Sequence, residues 1–201
     1  MVAIIDYGVG NLFSLQASLN KIGAMAVVTN DEAKIDAASH IILPGVGAFE
    51  DAAKLLKEYK MDEVILSNAG KKPILGICLG MQLLFDRSFE FGEHKGLGLI
   101  AGDIVPLKGA IDSKLKIPHM GWNKLYKTNS SSILKYTSEG DYVYFVHSYY
   151  AKAESKYITS VVKYDIDVTA TVQNGMVFGT QFHPEKSGEC GLRILKAFVE
   201  C

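Results

Sequence analysis

The chain has 201 residues, 48% of them hydrophobic and 21% charged, with a formal net charge of -1. That is the composition of a globular chain with enough residues for a sizeable core. The balanced charge, with no basic run, argues against nucleic acid as the main partner, and no apolar run is long enough to span a bilayer. Met1 leads directly into a strand-like segment with no leader-like stretch, which predicts a cytoplasmic protein of one domain over residues 1–201. The three cysteines, Cys78, Cys190 and Cys201, fit neither zinc nor disulfide spacing, so thiol chemistry is the reason to look at them.

Val2–Ile5 reads as a strand, followed by a glycine-rich turn, Asp6–Asn11. Leu12, Leu15, Leu19 and Ile22 then recur at helical spacing, with Asn11 as the expected N-cap and Gly23 as the C-cap. The turn lacks the third glycine and the acidic residue of a dinucleotide site, so it reads as a tight strand-to-helix connection. Ala26–Thr29 is a second strand, Asp31–Ala38 a short helix, and His40–Leu43 a third strand that stops at Pro44-Gly45-Val46-Gly47-Ala48-Phe49. Ala52, Leu55, Leu56 and Tyr59 mark one side of a further helix, and Met61–Ala69 is helical. Pro73–Leu75 end a buried strand, and Met81–Phe85 start an apolar helix.

Strands alternating with helices from residue 2 to 86 predict a parallel sheet with right-handed crossovers. Ligands bind such sheets at the carboxyl ends of the strands, where Asp6–Asn11, Pro44–Phe49 and Cys78 all fall. Beyond Phe89 short strand-like pieces are punctuated by glycines, and Ile117–Asn123 reads as a loop. Tyr142–Val146, Tyr157–Tyr164 and Val168–Gln173 read as strands. Asn174-Gly175 signals a type I′ hairpin before Met176–Phe182. Leu192, Leu195, Phe198 and Val199 lie at helical spacing near the end. The expected fold is therefore α/β, a flavodoxin-like mixed and mainly parallel sheet flanked by helices, with antiparallel strands added in the C-terminal half.

Between strand and helix, Gly76-Ile77-Cys78-Leu79-Gly80 has the spacing of a nucleophile elbow, with cysteine in the place of serine. Such a residue sits in strained backbone, and side chains two positions either side would collide with neighbouring segments. The free N–H groups of the following helix favour a thiolate. The plainer reading of Cys78 is a small buried hydrophobe. What weighs against it is Gln181-Phe182-His183-Pro184-Glu185. Residues two apart on an extended chain share a face, and Pro184 ends the strand, so His183 and Glu185 can converge. A thiol nucleophile requires a base, and the base an orienting carboxylate, so Cys78, His183 and Glu185 supply all three. His183 as a strand-end residue with Glu185 in a solvated turn is the bland alternative. A metal site adding His147 to His183 and Glu185 ranks below the triad, because nothing in the spacing is diagnostic of a metal.

These motifs resemble the class I glutamine amidotransferases, and within them the glutaminase subunits of imidazole glycerol phosphate synthase. DYGVGN (Asp6–Asn11), PGVGAF (Pro44–Phe49), GICLGMQ (Gly76–Gln82), HMGWN (His119–Asn123), VHSY (Val146–Tyr149) and QFHPEKS (Gln181–Ser187) carry the likeness over essentially the whole chain. The resemblance implies that Cys78 attacks the side-chain amide of L-glutamine, that His183 is the base and Glu185 its orienter, and that no cofactor or metal takes part. It implies oxyanion donors at Leu79 and in the Val46–Gly47 segment, and substrate contacts at Gln82, Ser148 and Tyr149. It also implies a heterodimer with a cyclase subunit, a (β/α)₈ barrel that uses the ammonia to make imidazole glycerol phosphate and AICAR in histidine biosynthesis. Asn11, Met120, Trp122, Asn123, Tyr144 and Lys186 are the candidate contacts, with Trp122 read equally as an anchor or as a core residue. Two rivals keep the same elbow: a non-catalytic protein with Cys78 as a redox sensor, and a cysteine peptidase.

Overall fold

The computed structural model describes residues 1–201. In chain order the elements are β1 (Val2–Ile5), α1 (Leu12–Lys21), β2 (Ala26–Thr29), α2 (Glu32–Ala37), β3 (His40–Leu43), α3 (Phe49–Glu58), α4 (Met61–Asn68), β4 (Ile74–Ile77) and α5 (Leu79–Leu83). The second half continues with β5 (Phe85–Ser88), β6 (His94–Lys95), β7 (Ile100–Pro106), β8 (His119–Lys124), β9 (Tyr126–Lys127), β10 (Tyr142–His147) and β11 (Tyr149–Ala153). It ends with β12 (Ile158–Tyr164), β13 (Ile166–Asn174), β14 (Val177–Thr180), a 3₁₀ turn at Pro184–Lys186, and α6 (Gly188–Val199).

The main sheet has the order β2-β1-β3-β4-β14-β13-β12-β9. Its first five strands are parallel and the remaining pairings antiparallel. The order 2-1-3-4 with β14 in fifth place is the flavodoxin-like arrangement, as the sequence predicts. Successive residues of a strand face opposite sides, and β1 shows it. Val2 and Ile4 join the core cluster that contains Leu15, Leu19 and Phe198, whereas Ala3 and Ile5 join the one that contains Phe49, Leu79 and Met81. The four residues of β1, β3, β4 and β14 are all buried, which is why these strands read as mainly apolar runs, with His40 and Thr180 the polar members. Two smaller sheets, β10-β8 and β11-β7-β5-β6, complete the structure.

Several local expectations give way. The apolar stretch after Cys78 makes only a five-residue helix, because Phe85 already starts β5, which pairs with β7. His119–Lys124 is a strand paired with β10 and not a loop. Asn11 stands at the N-cap position of α1 but makes no side-chain capping bond, whereas Asp31 caps α2 by accepting from Ala33 N–H at 3.0 Å. Asn174 pairs with Val177, so the turn residues are Gly175 and Met176. Of these only Gly175 has positive φ, at 57°, which is the pattern of a type II′ turn and not of type I′.

Candidate active site

The register of β4 and β14 builds the centre of the site. Gly76 pairs with Gly179 and Ile77 with Thr180, so the next residues, Cys78 and Gln181, leave the sheet side by side. Cys78 N–H still donates to Thr180 C=O at 2.7 Å, and the chain then turns sharply into α5 with φ 54° at Cys78. Positive φ at a residue other than glycine costs energy and persists only where the surroundings impose it. The imposing groups are the close contacts at the elbow. A Cβ on Gly76 would lie 2.6 Å from Gly80 O and 2.7 Å from Met81 Cα, and one on Gly80 would overlap the Leu43 carbonyl. The glycines at both ends of the pentapeptide are thus fixed by α5 lying directly on β3 and β4.

The PGVGAF segment presses on the same elbow. A Cβ on Gly45 would lie 2.7 Å from Gly80 N and 3.0 Å from Leu79 Cβ. Tyr7, whose hydroxyl burial pushes to a higher pKa, donates its O–H to Pro44 C=O at 2.7 Å. At the far end Phe49 N–H donates to Glu90 Oε2 at 2.6 Å. Between these anchors lie Val46, which is exposed, and Gly47 at φ 96°.

A cavity of about 330 Å³ opens over the sulfur. Cys78, His183, Leu79, Val46, Gly47, Gln82, Ser148 and Tyr149 all line it, so eight of the residues singled out from the sequence meet there. Glu90, Pro118, Val146 and His147 complete the wall. Glu185 stands behind His183, not in the wall, and accepts from its Nδ1 at 2.8 Å with both side chains almost fully buried. The pair converges through the 3₁₀ turn at Pro184–Lys186 and not on the extended strand end that the spacing predicts. Ser187 braces this turn: its hydroxyl donates to His183 C=O at 2.6 Å and accepts from Tyr144 N–H at 3.0 Å.

Burial opposes a charge on His183, but hydrogen bonding to Cys78 and to Glu185, with their negative charge, outweighs it and raises its pKa to about 9. The imidazole therefore stays protonated well above neutrality as long as both partners are present. Removing either one weakens what offsets burial. In the Cys78→Ala protein the His183 ring, followed by NMR across pH, is expected to titrate below about 9, and lower again in Cys78→Ala/Glu185→Gln. An unchanged midpoint in both proteins would mean that neither group controls this imidazole.

Gln82 is held by two acceptors. Its Nε2 donates to Tyr149 C=O at 3.1 Å and to Gln181 Oε1 at 3.1 Å. The Tyr149 carbonyl is available because β11 is a sheet edge. Leu107 N–H donates to Ser148 C=O at 2.9 Å, which makes Ser148 the bonded position of that ladder. In an antiparallel pair the bonded positions alternate, so the N–H and C=O of Tyr149 point off the free edge.

His147 donates from Nδ1 to the same carbonyl at 2.8 Å, and its Nε2 lies 2.9 Å from His119 Nδ1. Burial, only partly opposed by the hydrogen bond to Tyr149, lowers the pKa of His147 to about 3, so the ring is neutral. Both its nitrogens are engaged inside the protein. It does not join His183 and Glu185 as a metal ligand set, and no group of three His, Cys, Asp or Glu side chains is placed to hold a metal.

The interface candidates fall in two places. Met120 is 61% and Trp122 51% exposed on β8, and Trp122 meets Tyr144 of β10 edge-on with ring centres 6.0 Å apart. Trp122 is therefore not a core residue. Asn123, half-buried beside them, bonds His119 at 3.0 Å. Lys186 is exposed just after Glu185. Asn11 lines a small cavity with His183 and Glu185, whose Oε2 has no partner. Four residues at the site escaped the sequence reading: Gln181, Glu90, His119 and Ser187. Their only signal was membership of, or nearness to, the motifs that carry the family likeness.

The sequence matches the family described as "Glutamine amidotransferase class-I" over residues 3–201. The chain belongs to the class-I glutamine amidotransferases. Among curated proteins it is 47% identical to "Imidazole glycerol phosphate synthase subunit HisH" of Oceanobacillus iheyensis, covering 100% of this chain and 98% of the relative. It is 49% identical to the HisH subunit of Caldanaerobacter subterraneus subsp. tengcongensis, again over 100% and 98%. Within the amidotransferase family it therefore belongs with the HisH subunits. Among solved structures, a "Crystal structure of glutamine amidotransferase" superimposes with TM-score 0.77 at 17% identity, covering 100% of this chain and 98% of the other. "Structure of PurLQS from Thermotoga maritima" does so with TM-score 0.74 at 22% identity over 99% and 97%. These two establish the fold.

Proposed function

We propose that the amidotransferase chemistry of this chain is glutamine hydrolysis through a Cys78 thioester, with the ammonia passed to a cyclase subunit in histidine biosynthesis. The observation that carries it is Cys78 at the strained elbow, facing the same cavity as His183 with Glu185 behind, beside Gln82 whose amide N–H groups are already spent on protein acceptors. Gln82 Oε1 is left as an acceptor for the substrate, and Tyr149 N–H, off the sheet edge, as a donor for its carboxylate.

Cys78 Sγ attacks the carboxamide carbon, and the carbonyl oxygen takes up the electron pair. Leu79 N–H, which has no acceptor within α5, is one donor to that oxyanion, and an N–H from the Val46–Gly47 segment is the second. The carbon–nitrogen bond then breaks, with the proton on His183 going to the leaving ammonia. Water attacks the thioester and gives its proton to His183, and glutamate departs with the sulfur restored.

The names of the HisH relatives support the imidazole glycerol phosphate synthase assignment and, with it, a heterodimer that as a whole is a lyase. No helix is long and apolar enough to cross a membrane, and a cytoplasmic location is part of the same proposal. The partner face is the exposed patch of Met120 and Trp122 with Tyr144 and Asn123, continued through Lys186 and Asn11 toward Glu185. Gly47 gives the peptide before it the freedom to rotate at little steric cost, so partner binding can set whether an N–H faces the sulfur.

Glutamate release measured for the chain alone, with the barrel subunit, and with barrel plus its ribonucleotide substrate is the test. A rise of about 10²–10³ from the first condition to the third is expected, the value of one oxyanion donor. Equal rates would remove the switch, and no release in any condition would favour the redox-sensor or peptidase readings.

A further inference from the structure

The register that sets Gln181 beside Cys78 also sets its chemistry. Gln181 is fully buried, and its Nε2 lies 3.8 Å from Cys78 Sγ, within reach of a hydrogen bond to sulfur. We infer that Gln181 is a further catalytic residue of the glutaminase: its side-chain N–H donates to the Cys78 sulfur and stabilises the attacking thiolate. The inference rests on the reading of Cys78 as the nucleophile.

Which end of an amide faces which neighbour has to follow from the network, since nitrogen and oxygen have the same shape. Here one fixed group decides it. The Tyr149 carbonyl can only accept, so Gln82 must turn its NH₂ toward it. The same NH₂ is 3.1 Å from Gln181, which must therefore present its oxygen to Gln82. That leaves the NH₂ of Gln181 pointing at the sulfur. Reversing Gln181 would set two NH₂ groups against each other, and reversing Gln82 would set two oxygens against each other at Tyr149. The polarity thus runs in one direction, from a backbone carbonyl on the edge of β11 to Cys78. The backbone of Gln181 is also tied, its N–H donating to Ala170 C=O at 2.8 Å.

This places a donor on the sulfur from the sheet side. Substrate enters from the cavity side, where Leu79 and the Val46–Gly47 segment are poised for the oxyanion. A buried donor aimed at a thiolate acts on the nucleophile in every turn of the cycle, because the thiolate is both the attacking group and the leaving group. Hydrogen bonds to charged groups are the stronger kind, and losing one costs roughly tenfold to a hundredfold in an equilibrium.

Gln181→Met keeps the length of the side chain and removes the donor. In the full chain, the pH at which iodoacetamide alkylates Cys78 at half its maximal rate is expected to rise by about one pH unit or more. With the partner subunit bound, kcat for glutamine should fall at least about tenfold while KM changes less. Gln82→Met, by contrast, keeps the Gln181 donor and removes only the group that fixes its polarity, so it should raise KM and move the alkylation profile less than Gln181→Met does. That separates a direct effect on sulfur from a loosened Gln82. If Gln181→Met does not fold, Gln181→Asn withdraws the same N–H by one methylene and is read in the same way. An alkylation profile unmoved in the folded Gln181 variant, or moved equally by Gln82→Met, would overturn the inference. Failure of the nucleophile reading looks different: iodoacetamide would modify Cys78 without inactivating the enzyme.

Discussion

Cys78→Ala is expected to abolish glutamate release while the two-subunit enzyme still makes product from added ammonium salts. The sulfur is the only thiol in the cavity. Cys190 lies on the buried face of α6, with its thiol pushed up to about 11 by burial first and by Asp141 next, and Cys201 is at the chain end. Neither can stand in. The elbow itself should survive the change, because its backbone is held by the contacts of Gly76 and Gly80 and by Cys78 N–H to Thr180, none of which uses the sulfur. Nucleophile removal in triad enzymes costs about 10⁶ in kcat, with only binding and the oxyanion donors left to act. Glutamate production near the original rate would end the assignment of Cys78. Loss of the ammonia-dependent reaction as well would mean that the substitution had damaged the complex.

How much of this arrangement the sequence reveals depends on how the neighbours are made. The parallel core was legible because β1, β3 and β4 are short, wholly buried and separated by helices, so each appears as a short, mainly apolar run, followed by Asp6, Pro44 and Cys78 respectively. The elbow was legible because its constraint is local: five consecutive residues carry both the strain and the glycines that permit it. β8 was not, and its burial pattern explains why. His119 is buried while Met120 and Trp122 are exposed, so the strand is inside-out, polar groups inward and large apolar groups outward. An alternation rule that assigns apolar residues to the core cannot find such a strand.

The inward histidine is comfortable only because tertiary partners surround it. His119 stacks on Phe145 and Tyr164 with ring centres 4.9 Å and 4.1 Å away, and it shares hydrogen bonds with His147 and Asn123. Gln181 was missed for a related reason. Its partner Cys78 is 103 residues away, and only the pairing of β14 with β4 brings the two together. The short α5 shows the remaining limit. Met81–Phe85 is apolar except for Gln82 and too short to show a period, so nothing local marks where the helix ends and β5 begins.

His183→Ala is expected to be the second most damaging change, lowering kcat by at least about 10³, whereas Glu185→Gln should retain roughly ten to a hundred times more activity than His183→Ala. Without the imidazole no other histidine in the cavity can take its place. The other histidine in the wall, His147, is neutral with Nδ1 committed to Tyr149 and Nε2 to His119. Glu185 does a different task. Its Oε1 accepts from His183 Nδ1, which fixes the orientation of the ring and leaves Nε2 for the sulfur, while its Oε2 has no hydrogen-bond partner.

Glutamine fits that geometry with its oxygen on Nδ1 and its nitrogen in the unpartnered place. The ring orientation is then preserved, and what is lost is the negative charge that helps hold His183 protonated. A thiol, already more nucleophilic than a hydroxyl, leaves the base less to do than in a serine enzyme. Glutamine turnover by each variant at saturating partner, with thermal unfolding midpoints to show that both are folded, decides the matter. If Glu185→Gln proves the worse of the two, the proton is carried by the carboxylate and the roles assigned to His183 and Glu185 must be exchanged.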